Sequence, residues 1–159
     1  MNLLRYRHRA DAGYSMIELM LVLTIIGTLG VLATPFFLTY YQASRLRVSA
    51  EELAAFVNLG RQLAIRQNSA TCVHIGSAAV QYYVGDAACA CTGSPWVGPG
   101  TDSAGNVKLP DGIALSGTDF SFSYLGAATP ASTITVTNSQ TSASLHVTVA
   151  ASGRVSIGP

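Results

Sequence analysis

Two sets of residues in this chain have types and spacings that could do chemistry. The first is a single acid, Glu18, inside the stretch YSMIELMLVLTIIGTLGVLATPFF. Residues 19–38 carry no charge at all. A carboxylate at the centre of a membrane helix costs on the order of 2.5–3.5 kcal/mol by insertion scales, so Glu18 calls for a partner. A small residue, Gly13, precedes the run and follows a basic leader containing Arg5, Arg7, His8 and Arg9. Cleavage after Gly13 would make Tyr14 the new N-terminus, with its α-ammonium one helical turn from Glu18. Identical helices stacked with a small axial offset would then let Glu18 of one meet the ammonium of the next. The penalty for burying the acid is offset only on assembly.

The second set is Cys72, His74, Cys89 and Cys91. C-x-H followed by C-x-C offers donors suited to tetrahedral zinc, and on a strand Cys72 and His74 share a side. Structural zinc sites use longer cysteine spacings, and an oxidising compartment favours a bridge. The expectation is therefore a disulfide from Cys72 to Cys89 or Cys91, with free thiols second, zinc third and no metal assigned. Asp102, Asp111 and Asp119 sit beside Gly or Thr and read as turn residues. His146 falls on the polar side of a strand and reads as exposed. No nucleophile elbow, phosphate loop or acid pair is present, so neither an enzyme nor a cofactor is expected. Arg154 stands alone near the C-terminus, and one arginine supplies few phosphate contacts.

These residues need elements to hold them. The chain has 159 residues, of which only 11% are charged. Without the leader, six basic residues face seven acidic ones, which is no electrostatic footprint for nucleic acid. Twenty uncharged residues in a helix span roughly 30 Å, a bilayer core. The basic flank keeps the N-terminus cytoplasmic. A secretory signal would have a shorter apolar core and an A-x-A-like site, which makes it the weaker reading. Pro35 favours a kink, and Gly27 and Gly30 weaken the same stretch. After Phe37 the pattern turns amphipathic, with Leu46, Leu53, Phe56, Val57, Leu63 and Ala64 on one face. Arg45, Arg47, Glu51, Glu52, Arg61 and Arg66 form its wet face, and Asn68 and Ser69 mark its end. From Ala70 the period is two: ATCVHIG, AVQYYVG, FSFSYLG, STITVTN and SLHVTVAASGRVSIG read as strands. Phe120, Phe122 and Tyr124 mark an inward face, and NSQTSA joins a hairpin. The Gly- and Pro-rich stretch 89–106, with its Trp, reads as a long surface loop.

Gly13 followed by YSMIEL and a hydrophobic helix resembles the class III signal of type IV prepilins and type II secretion pseudopilins. The body resembles the H-type pseudopilin (GspH) and FimT minor pilin family, through GRQLAIRQNSA, CVHI, LPDGIAL and ASGRVSI. That resemblance implies an α+β pilin fold, a long N-terminal helix packed on an antiparallel β-sheet or sandwich. It divides the chain into a cleaved leader (1–13), a transmembrane and polymerising half-helix (14–41), an amphipathic half-helix (42–69) and a periplasmic β-domain (70–159). It also implies cleavage between Gly13 and Tyr14 by a prepilin peptidase, N-methylation of Tyr14, an assembly role for Glu18, and helix softening at Gly27 and Pro35. The family usually places phenylalanine where Tyr14 stands. The function implied is a minor subunit of a type II secretion pseudopilus, with a FimT-like tip or priming subunit of a type IV pilus as the alternative. A DNA-uptake role through Arg154 is less favoured. Partners would be other pilins, the prepilin peptidase, the inner-membrane assembly platform and lipid, with the chain crossing the inner membrane once.

Overall fold

The computed structural model describes residues 13–159, so the basic leader ahead of Gly13 lies outside the described residues. The chain divides into two compact units, split between Thr39 and Tyr40. Helix α1, Met16–Arg66, contributes to both.

In the first unit α1 has no packed core among the described residues. Leu19, Leu23, Ile26, Leu29, Leu32 and Phe36 are all exposed. The helix is long and apolar enough to cross a membrane. The second unit begins with the amphipathic stretch of α1, whose buried positions are Leu46, Ser49, Ala50, Leu53, Val57, Gly60, Leu63 and Ala64. Steps of three and four place these residues on one face. The helix ends where Asn68 adopts φ 48° and Ser69 N–H donates to the Ala64 carbonyl at 3.1 Å, a left-handed cap that satisfies the last turn.

Nine strands follow: β1 (Thr71–Ile75), β2 (Ala79–Val84), β3 (Val107–Lys108), β4 (Ile113–Ser116), β5 (Phe120–Phe122), β6 (Ala128–Thr129), β7 (Ser132–Asn138), β8 (Ser144–Val149) and β9 (Val155–Gly158). They form a five-stranded sheet, β3-β2-β1-β5-β6, and a four-stranded sheet, β4-β7-β8-β9. Every pairing is antiparallel. Val73, Val80, Tyr82, Phe120, Phe122, Ile134, Val136, Val147 and Val149 join the helix face in one core. A Cβ on Gly60 would lie 2.9 Å from Val73 Cγ2 and 3.1 Å from Tyr82 Cε1, so only glycine lets α1 approach β1 and β2 this closely. Tyr82 Oη donates to the Phe56 carbonyl at 2.8 Å across the same contact.

Several elements differ from the periodicity. SLHVTVAASGRVSIG is two strands, β8 and β9, paired through a turn at Ala150–Arg154 with Gly153 at φ 78°. The two-residue strands β3 and β6 are too short to leave a pattern. Tyr124 does not continue the inward face: β5 ends at Phe122, Gly126 N–H closes a turn onto Ser123, and Tyr124 is exposed. Arg61 is not on a fully wet face. Its Nε is buried, and the turns holding Gly126 and Gly153 approach it so closely that a Cβ on either would meet it.

Candidate functional site

Tyr14 is 84% exposed, and Glu18 stands in the first turn of α1, where the helix dipole favours an acid. Four hydroxyls along the apolar stretch bond to their own helix: Thr24 to the Leu21 carbonyl, Thr28 to Ile25, Thr34 to Gly30 and Thr39 to Pro35, all at 2.8–2.9 Å. Hydroxyls paired in this way carry no unmet demand into lipid. A Cβ on Gly27 or Gly30 would touch nothing within 4 Å, so no contact of the described chain requires glycine there. The helix runs on through Pro35, whose ring has no N–H to offer the carbonyl four residues back.

The second unit gathers the sulfur and imidazole residues on one side of β1. Strand alternation turns Val73 to the core and Cys72 and His74 to the opposite face. Cys72, fully buried, is bridged to Cys89. The bridge ties the segment after β2 across that face. Ser121 supports the same tie, donating its hydroxyl to the Ala87 carbonyl at 2.9 Å. Asp86 then accepts the Cys91 N–H at 2.8 Å and the Ala90 N–H at 3.3 Å. Cys89 and Cys91 both sit at left-handed φ, 51° and 52°, an arrangement these bonds and the bridge must hold.

Asp119 completes the cluster. The β1–β5 register pairs Val73 with Phe120, so the next pair outward is His74 with Asp119. Asp119 Oδ1 accepts the Ile75 N–H at 2.8 Å, and its Oδ2 lies 2.6 Å from His74 Nδ1. Cys91 Sγ is 3.7 Å from the same Oδ2. Partial burial pushes the Cys91 thiol above its usual range, and the Asp119 charge adds to the rise. Tyr83 meets the His74 ring edge-on at 6.4 Å. Beside the cluster a cavity of about 340 Å³ is lined by His74, Gln81, Asn106, Lys108 and Asp111 among others.

Asp119 is the residue that sequence reasoning misplaced. It is more than a turn residue, because a strand register that no local motif announces sets it against His74. Asp102 is a turn residue as expected: its carboxylate takes N–H bonds from Asn106 and Ala104, which hold it below the usual carboxylate range. Asp111 is exposed, and its backbone carbonyl accepts from Arg45 Nη2 at 2.8 Å. His146 is half-buried, with Nδ1 3.1 Å from Thr135 Oγ1 on the paired strand. Arg154 is exposed at the β8–β9 turn.

A helix with an unpackaged apolar N-terminal stretch, whose later turns carry two antiparallel sheets, is the pilin fold. A family model described as type II transport protein GspH matches residues 49–153, and the chain belongs to that family. Among solved structures the fold is similar to the minor pseudopilin EpsH of the Vibrio cholerae type 2 secretion system (14% identity, 71% of this chain and 95% of that one, TM-score 0.54). It is also similar to Escherichia coli GspH in solution (15% identity, 72% and 87%, TM-score 0.54). The type IV minor pilin FimU of Pseudomonas aeruginosa is comparably similar (15% identity, 76% and 92%, TM-score 0.52). Comparison with curated proteins finds no match.

Proposed function

We propose that this chain is an H-type minor pseudopilin of a type II secretion system. It would be made as a prepilin, held in the inner membrane by α1, and built into a short periplasmic filament with other pseudopilins. It works by assembly, without catalysis. The observation that carries this reading is the exposed apolar stretch of α1 with its one acid, Glu18, a helical turn from Tyr14, in a chain of the GspH family. In this reading the prepilin peptidase cuts after Gly13 and Tyr14 becomes the methylated terminus. Glu18 then pairs with that amine on a neighbouring subunit. Gly27 and Pro35 mark where the helix loosens as subunits pack. Among the described residues no side-chain packing opposes this at Gly27, whose Cβ position meets nothing within 4 Å, and Pro35 already lacks one helical hydrogen bond.

The likeness to FimU supports a second reading, a minor subunit of a type IV pilus, because its TM-score of 0.52 is close to the 0.54 of the secretion pseudopilins. DNA capture through Arg154 is the weakest reading, since a single exposed arginine supplies few phosphate contacts.

The test is Glu18→Ala in the full chain, followed by fractionation and by crosslinking to the other pseudopilins. The variant is expected to be cleaved and to remain in the membrane while losing its crosslinks. Unchanged crosslinking would refute the pairing role. Gly13→Leu should instead leave the leader attached. Loss of secretion in a deletion strain, with pili intact, selects the first system over the second.

A further inference from the structure

The cluster on the outer face of β1 is not used by an assembly role, and it offers three different donor atoms. A nitrogen of His74, the Sγ of Cys91 and a carboxylate oxygen of Asp119 all lie within 4.8 Å of one another. They come from three segments: a strand, the loop that the disulfide ties down, and the residue leading into β5. We propose that His74, Cys91 and Asp119 form a binding site for a divalent transition metal of the zinc class.

Three features favour a metal over an ordinary polar contact. The first is that the donors are held in place. His74 is on a strand paired on both sides, Asp119 is fixed through Oδ1 by the Ile75 N–H, and the Cys91 backbone is fixed by Asp86. That leaves Asp119 Oδ2, Sγ and the imidazole as the groups that converge. The second is the donor chemistry. Thiolate, imidazole and carboxylate together are the mixed set that binds Zn²⁺, while Mg²⁺ and Ca²⁺ want oxygen alone. Binding requires the Cys91 thiol to lose its proton, and the thiolate and the Asp119 carboxylate then neutralise the divalent charge. Ligands around a tetrahedral ion with bonds of about 2.0–2.3 Å lie roughly 3.3–3.8 Å apart, so side-chain rotation must widen the 2.6 Å contact between His74 Nδ1 and Asp119 Oδ2 and draw the remaining donors together. The third is access. His74 and Asp119 side chains are 37% and 28% exposed, so an ion can enter from solution and the fourth position stays open to water or to a donor from another molecule.

The disulfide is what makes this donor set selective. Bridging removes Cys72 and Cys89, the two sulfurs that would complete a C-x-H plus C-x-C site, and leaves Cys91 as the free cysteine. The site is therefore not the one that the cysteine spacing suggests. Asp119 takes the place of the missing sulfurs.

The experiment uses the full chain in detergent, stripped with chelator under non-reducing conditions so that the bridge survives. Co²⁺ is the probe. One equivalent should give a thiolate-to-metal charge-transfer band, and Zn²⁺ should displace it and block alkylation of Cys91. Cys91→Ser should abolish the band. His74→Gln and Asp119→Asn should each weaken Zn²⁺ by at least the roughly 10–100-fold seen for changes around metal sites. Near-ultraviolet circular dichroism and a count of one free thiol in the two latter variants establish that the fold and bridge are intact. Absence of the band in the wild-type chain overturns the proposal. So does Zn²⁺ binding that survives Cys91→Ser unchanged, or is indifferent to Asp119→Asn.

Discussion

The two ends of one helix obey opposite rules. Between Leu19 and Phe37 apolar side chains point in every direction and are exposed; between Leu46 and Ala64 the buried ones follow one face, with Val48 left exposed. A helix apolar all round needs an apolar surrounding, which in the proposed reading is lipid or the helices of other subunits. A helix apolar on one stripe needs a core, which β1, β2, β5 and the second sheet supply. The difference appears in the glycines too. Gly60 is required by Val73 and Tyr82, whereas Gly27 and Gly30 touch nothing. One half of the helix is specified by its own domain, while among the described residues nothing packs against the other.

Matched substitutions should expose this difference. Leu53→Ala removes a fully buried side chain and should destabilise the second unit by about 2–5 kcal/mol in urea titrations followed by near-ultraviolet circular dichroism. Leu32→Ala should leave the same transition unmoved; equal losses would mean that the two stretches share one core. Replacing Cys72 and Cys89 together by serine should lower stability by about 3 kcal/mol, as expected for opening a loop with a 17-residue separation. Reduction with dithiothreitol should reproduce that loss in the wild type and add nothing in the variant. Gly60→Ala should cost about 1–3 kcal/mol through overpacking, while Gly30→Ala should strengthen its helix by up to about 1 kcal/mol. Opposite signs, read by helicity and by denaturation, are the expected result.

The smallest effect concerns pH. Burial pushes the Tyr82 phenol above its usual value of about 10. The folded chain then keeps a proton that the unfolded chain gives up. Its stabilisation is complete below pH ~10 and falls away as the solution becomes more alkaline. Tyr82→Phe should lose about 0.5–1.5 kcal/mol at neutral pH, from the bond to the Phe56 carbonyl, and should flatten the alkaline decline. A variant that keeps the full alkaline slope would place its origin in other groups.

Local pattern was enough to read the helix, the change of period at Ala70, the strands β1, β2, β7 and β8, and the shared side of Cys72 and His74. Each rests on the geometry of a single element, either 3.6 residues per turn or alternation by two. Trp96 shows where that stops. Its loop reads as surface, yet its backbone N–H donates to the Tyr82 carbonyl at 2.7 Å and its ring packs edge-on against Tyr82. Arg61 and Tyr124 depart for a related reason: which side of an element is wet depends on what folds over it.

Glu18, Gly13 and the uncharged run are determined by sequence alone, because depth in a membrane and distance along a helix are both counted in residues. The pairing of Cys72 with Cys89 and the meeting of His74, Cys91 and Asp119 were decided only by the tertiary structure. His74 and Asp119 are separated by 45 positions, and only the antiparallel register of β1 with β5 sets one against the other. Register follows from the burial of whole faces, a property of the assembled sheet that no single strand encodes.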